Sequence, residues 1–194
     1  MKNIFSTSRL LGAAMALVWS VQASAVHSEI GLNYGYKKSY FDKENNVEQQ
    51  SVTGSLSFYF WERVALELAY TNGLYVKKEK QPNSMSAFLR ETTQYTDVYE
   101  GGLIFVFADR KAPFQPYVKG GAAYVKRKQV VQDDGNNPWE VPYSGTSPSY
   151  GIGFKFFLTQ EFAIRASYDI LETPVEGGSK VNDINGRIGI SWVL

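Results

Sequence analysis

The segment SVTGSLSFYF, residues 51 to 60, sets Val52, Leu56, Phe58 and Phe60 in one phase and Ser51, Thr53, Ser55 and Ser57 in the other. Successive side chains of a strand point to opposite faces, so this period of two makes a ribbon with one bulky apolar face and one face of small hydroxyls. Trp61-Glu62-Arg63 follows, after which Val64, Leu66, Leu68 and Tyr70 alternate with Ala65, Glu67, Ala69 and Thr71. Two such runs on either side of a short connection predict an antiparallel hairpin.

Extending the same reading gives eight strand segments, at about 28–37, 50–60, 64–71, 94–107, 115–126, 148–158, 162–172 and 183–194. In the fourth, Gly101-Gly102 interrupts an ambiguous pattern and suggests a bulge. The chain holds 13 Tyr, 12 Phe and 17 Gly, and after residue 25 no segment repeats apolar residues at helical spacing, so the fold is predicted to be all-β. Connections at 61–63, 108–114 and 159–161 are short, whereas those at 38–49, 72–93, 127–147 and 173–182 are long and polar. Strict alternation of short and long connections predicts an up-and-down antiparallel sheet with all its long loops at one end.

The two faces decide between water and lipid. An eight-stranded soluble barrel lines its cavity with the apolar face. Here the polar face is built from Gly, Ala, Ser and Thr, which suits a narrow interior, and the apolar face carries bulky Leu, Ile, Phe and Tyr. Bulk outward and small polar groups inward predicts an eight-stranded transmembrane β-barrel, closed because lipid leaves no partner for an open sheet edge. Tyr36, Phe60, Trp61, Tyr70, Phe107, Tyr124, Tyr150, Phe162, Tyr168 and Trp192 lie near strand ends and are the candidates for two interfacial girdles.

The start of the chain agrees with export. Lys2 and Arg9 precede the apolar run Leu10 to Val18, and Ala23-Ser24-Ala25 offers a small-x-small cleavage site. The run is too short to span a bilayer as a helix, so residues 1–25 are predicted to be a signal peptide cleaved after Ala25, with the barrel domain over 26–194. Cleavage leaves 18 basic against 19 acidic residues, a net charge of −1, which gives no support to nucleic-acid binding. With no cysteine, neither disulfides nor a lipoprotein anchor is expected.

A weak internal repeat predicts the interior. Ala65-Leu66-Glu67-Leu68-Ala69-Tyr70 aligns with Ala163-Ile164-Arg165-Ala166-Ser167-Tyr168, keeping face, height and aromatic end but exchanging Glu67 for Arg165. The third and seventh strands of an eight-stranded barrel lie on opposite sides of a lumen that side chains just fill. Glu67 and Arg165 are therefore expected to meet across it, with Lys119 and Lys155 nearby and Glu100 and Arg187 as further members of one charge cluster. Isolated charges are costly in such an interior, so pairing is the expected solution.

The stretch FQPYVKGGAAYV, residues 114 to 125, resembles the Pro-Tyr-Val-Gly-x-Gly signature of small outer-membrane barrels of the OmpA, OmpX and OmpW type, with Lys119 where Gly is common. The terminal RIGISWVL also resembles the signal read by the barrel-assembly machinery, at Arg187, Gly189, Trp192 and Leu194, with Leu where a final Phe is commoner. The resemblance covers nearly all of the predicted barrel domain and implies an integral protein of the Gram-negative outer membrane, without the peptidoglycan-binding domain of some relatives. Its implied partners are outer-membrane lipid and lipopolysaccharide, the assembly machinery during insertion, and host or surface ligands met by the loops. The barrel is expected to be a monomer without cofactor.

Some barrels of this size resemble the chain yet modify lipid A with a His, a Ser and an acid. The only histidine is His27, at the start of the first strand, where it is poorly placed for a triad, so no catalytic role is expected. Asp133-Asp134-Gly135-Asn136-Asn137 lacks the spacing and distal Glu of a calcium loop and reads as a turn. Lys77, Lys78 and Lys80 mix with Glu79 and Glu91 as in a solvated loop. The expected function is a closed barrel that anchors in the outer membrane and displays four loops, with a small channel for small or apolar solutes as the alternative.

Overall fold

The computed structural model describes residues 27–40, 46–81, 88–133, 139–174 and 180–194; the predicted signal peptide lies outside them. Eight strands follow in order: β1 (Ser28–Tyr40), β2 (Asn46–Trp61), β3 (Val64–Gln81), β4 (Phe88–Val106), β5 (Phe114–Asp133), β6 (Trp139–Phe157), β7 (Phe162–Pro174) and β8 (Lys180–Val193). Each pairs antiparallel with its neighbour, and β1 pairs with β8 to close a barrel. At the closing seam the Leu194 amide donates to the Ser28 carbonyl at 2.8 Å, and the Tyr59 amide donates to the His27 carbonyl at 3.0 Å.

The strands run further than the alternation indicated. β3 and β4 stay in one unbroken register from Val64↔Phe105 to Gln81↔Phe88, through most of what read as a long loop. Ladder bonds need only backbone groups, so pairing continues where both faces are wet and the apolar alternation has vanished. Of Asp133-Asp134-Gly135-Asn136-Asn137, all but Asp133 falls outside the described residues. Lys78 projects from β3 and pairs with Glu91 of β4 at 3.3 Å. The suggested bulge at Gly101-Gly102 is absent, because both residues sit in continuous ladders with β3 and β5; the irregularity lies instead between Tyr59 and Trp61.

The glycines have another role at those positions. A Cβ on Gly102 would stand 2.8 Å from the Gly120 carbonyl oxygen, so the small residues permit β4 and β5 to approach closely. At the seam a Cβ on Gly189 would lie 2.6 Å from Asn33 Cα, which makes Gly189 a condition of β1–β8 closure.

The exterior is apolar and the interior polar. Leu32, Leu68, Leu103, Ile152 and Ile188 each expose half or more of their surface, while Glu29, Glu67, Lys155, Arg165 and Asp169 are buried. A surface of that kind is incompatible with a soluble monomer and fits hydrocarbon. Its edges are aromatic. Phe60 contacts Trp61, Phe105 contacts Phe107, Phe114 contacts Phe154 and Phe162 contacts Trp192 at the end bearing the short turns. Tyr70, Tyr99 and Tyr124 form one cross-strand row at the other end, with Asn72, Asp97 and Lys126 in the next outward row. From Phe114 to Tyr124 the ten steps of about 3.3 Å, tilted by about 40°, rise about 25 Å, the height of a transmembrane apolar band.

Candidate functional site: the charged lumen

Inward positions of the strands carry the titratable groups. Along β2 the inward phase that begins at Ser51 runs on to Tyr59, and along β5 it places Gln115, Tyr117 and Lys119 inside. Gln115 stays near the turn end, its amide nitrogen donating to the carbonyls of Asp109, Arg110 and Ala112. Above it, side chains from all eight strands interlock in three tiers.

In the lowest tier Lys155 of β6 donates to Glu29 of β1 and to the Tyr59 hydroxyl of β2, and Tyr59 donates to Glu29 at 3.0 Å. In the middle tier Arg165 of β7 crosses the lumen: Nη1 donates to Glu67 Oε2 of β3 and Nε to the Tyr117 hydroxyl, both at 2.7 Å. Ser57 adds a 3.3 Å bond to the same Glu67 oxygen. In the upper tier Lys119 Nζ lies 3.0 Å from Asp169, 3.1 Å from Glu100 and 3.6 Å from Glu67. Arg187 of β8 closes on Asp169 at 3.4 Å, and Ser149 and Ser167 donate to Glu100 and Asp169.

All six sequence-predicted members, Glu67, Glu100, Lys119, Lys155, Arg165 and Arg187, lie in this network. Glu29, Asp169, Tyr59 and Tyr117 belong to it as well and were missed, although Tyr59 and Tyr117 sit in the inward phase two residues from Ser57 and Lys119. With Glu29 and Asp169 added, four acids face four bases, which is what makes the burial tolerable. Space for them comes from β6: a Cβ on Gly151 would lie 2.8 Å from Lys119 Cε, and one on Gly153 would lie 2.6 Å from Tyr117 Cζ. Small residues on one wall thus accommodate long ones from the next.

The lumen widens at both ends. Toward the polar hairpins a cavity of about 640 Å³ is lined by Gln49, Gln94, Gln129, Asn185 and other polar residues, with Arg187 at its base. Toward the short turns a second, of about 610 Å³, lies among His27, Arg110, Phe157 and Val193. The charge network separates the two.

His27 precedes β1 at the turn-end rim and is held rather than loose, its ring stacked on Tyr59 with centroids 4.2 Å apart and planes 9° apart. Partial burial, then the Arg110 guanidinium, lower its pKa from 6.5 to about 4 against an opposing pull from Glu29. The unfolded chain therefore binds more protons between these values, so stability is full above pH 6.5 and falls as pH drops toward 4. Replacement by Phe, which keeps a stacked ring, is expected to flatten this slope by on the order of 1 kcal/mol, since half-exposure screens the effect. Urea unfolding in vesicles at pH 7.5 and 4.5 measures it; equal slopes for both proteins would refute it. Among the described residues no group of three or more His, Cys, Asp or Glu is placed to hold a metal ion.

An eight-stranded antiparallel barrel with an apolar, aromatic-edged exterior and a polar, filled lumen defines the class: a small transmembrane barrel of the outer-membrane type. The chain belongs to the outer membrane protein beta-barrel domain family, whose model matches residues 10–192. No curated protein matches it in sequence. Among solved structures it is similar to the N-terminal β-barrel domain of Pseudomonas aeruginosa OprF, at 16% identity and a TM-score of 0.55, over 89% of this chain and 100% of that one. It is also similar to the outer membrane protein OprG of the same organism, at 10% identity and a TM-score of 0.54, over 87% of this chain and 95% of that one. At these identities the likeness establishes the fold.

Proposed function

We propose that the protein is a closed barrel that anchors in the outer membrane and presents its four polar hairpins at the cell surface, without enzymatic activity. The observation that carries this reading is the net-neutral lattice of four acids and four bases across the lumen, locked by Tyr59 and Tyr117. Passage along the axis requires several buried ion pairs to part together, and breaking even one such pair is costly. The reading includes export by a signal peptide cleaved after Ala25 and insertion by the barrel-assembly machinery, with Arg187, Gly189, Trp192 and Leu194 as the recognition segment. Lipopolysaccharide and host or surface ligands are the proposed contacts of the hairpins.

The cavities of about 640 and 610 Å³ on either side of the lattice favour the rival reading, a small channel with a thin gate. Conductance of the refolded protein in planar bilayers distinguishes the two. A silent membrane is expected; reproducible single-channel openings would overturn the closed barrel.

A further inference from the structure

The seam between β1 and β8 is closed over only part of its length. Register runs from Glu29↔Val193 to Tyr34↔Ile188 and stops there, although β1 continues to Tyr40 against β2 and β8 begins at Lys180 against β7. The five steps from Glu29 to Tyr34, at about 3.3 Å each and about 40° of tilt, span about 13 Å, so the strands part below the top of an apolar band about 25 Å tall. A cavity of about 360 Å³ occupies the parting. Its lining mixes both faces of the wall: Tyr36, Tyr168 and Ile184 from the outside, and Lys37, Gln49 and Asn185 from the inside. Gln49 and Asn185 also line the 640 Å³ cavity, so only this hydrogen-bonded pair, 2.9 Å apart, stands between the parting and the upper lumen.

We propose that this parting is a lateral portal between the outer leaflet and the upper lumen, and that it takes a single-chain amphiphile with an anionic head. The outer rim suits an alkyl chain. Tyr36, Tyr168 and Ile184 are about half-exposed on the lipid side, and Gly186 between them leaves open space, since a Cβ there would meet nothing within 4 Å. The inner rim suits an anion. Lys37 offers an ammonium, and the Gln49 amide already donates across the gap to Asn185 at 2.9 Å. Just behind this rim Arg187, which lines the 640 Å³ cavity and pairs through Nη1 with Asp169 at 3.4 Å, packs its stem against Gly35, and its Nε has no hydrogen-bond acceptor. The acid nearest these groups along β8, Asp183, is engaged by Arg127. A volume of about 360 Å³ stands at the small end of ligand pockets, which run from roughly 300 to 1,000 Å³, and so admits one chain rather than a many-chained glycolipid.

The portal goes beyond the closed-lumen reading and does not depend on it, because entry is from the side and the lattice below stays shut. The test is photocrosslinking of a diazirine-bearing palmitate to the full chain refolded in phosphatidylcholine vesicles, with labelled residues mapped by mass spectrometry. Labelling is expected to concentrate on Tyr36, Tyr168 and Ile184 and to be competed by palmitate or by hexadecyl phosphate but not by hexadecanol. Competition by both acids supports a general anion site, and competition by palmitate alone narrows the head to a carboxylate. Lys37→Glu is expected to lower labelling at least fivefold while heat-modifiable gel mobility is retained. The chain has no cysteine, so Tyr36→Cys with Gly186→Cys provides a reversible stitch, expected to abolish labelling when oxidised and restore it when reduced. Labelling spread evenly around the apolar band, equal competition by hexadecanol, or persistence in the stitched protein would overturn the portal. Bilayer silence or conductance bears on the lattice alone.

Discussion

Replacing Arg165 by Met is expected to destabilise the barrel by about 3–5 kcal/mol, the range for breaking a buried pair by removing one partner. The Arg165 side chain is 3% exposed, and its guanidinium satisfies Glu67 and the Tyr117 hydroxyl together. Without it Glu67 keeps only Lys119, at 3.6 Å, and the Ser57 hydroxyl. The double exchange Glu67→Arg with Arg165→Glu tests the pairing itself. Full rescue is not expected, because an arginine at 67 would face Lys119; roughly half of the loss from either single reversal should return, as coupled neighbours are non-additive. Urea titration in phospholipid vesicles, followed by tryptophan fluorescence, reads these values. No recovery in the double exchange would mean that the two residues do not act as a pair.

The second large effect is expected at Lys119. One ammonium there lies within 3.0 to 3.6 Å of carboxylates from three other strands, β3, β4 and β7. Lys119→Met leaves those acids facing one another with no cation at their centre, and the loss should be at least the about 3–5 kcal/mol of a single broken pair. Adding Asp169→Asn removes one acid and restores equal numbers of acids and bases in the lattice, so most of the loss should return. A Lys119→Met protein within about 0.5 kcal/mol of the wild type, the range of an inconsequential surface change, would show that the contacts at 119 carry no net stability.

Both predictions concern residues whose partners were only partly visible in the linear chain. Glu67 and Arg165 emerged because a repeat places them at one height on opposite walls, and the lumen of eight strands is narrow enough for them to meet. Glu29 was overlooked because it stands at the margin of the first run, and Asp169 because nothing in β7 alone distinguishes it from a solvated acid. Tyr59 and Tyr117 were hidden for another reason. Tyrosine reads as an apolar, outward residue in a barrel strand, and these two turn inward only because the small-residue phase carries through them, leaving their hydroxyls to bridge Glu29 and Arg165. The long connections were misjudged because alternation reports contact with lipid rather than strand pairing.

The order of the eight strands, their antiparallel pairing and the direction of every apolar face in the spanning band were determined by the sequence itself, because a period of two in a lipid-facing strand admits one orientation. Only the tertiary structure decided which charges touch and where the seam stops. Those depend on stagger and on the curvature of a closed wall, which place Glu29 beside Lys155 across 126 residues and let β1 and β8 part above Tyr34, and no local pattern encodes either distance.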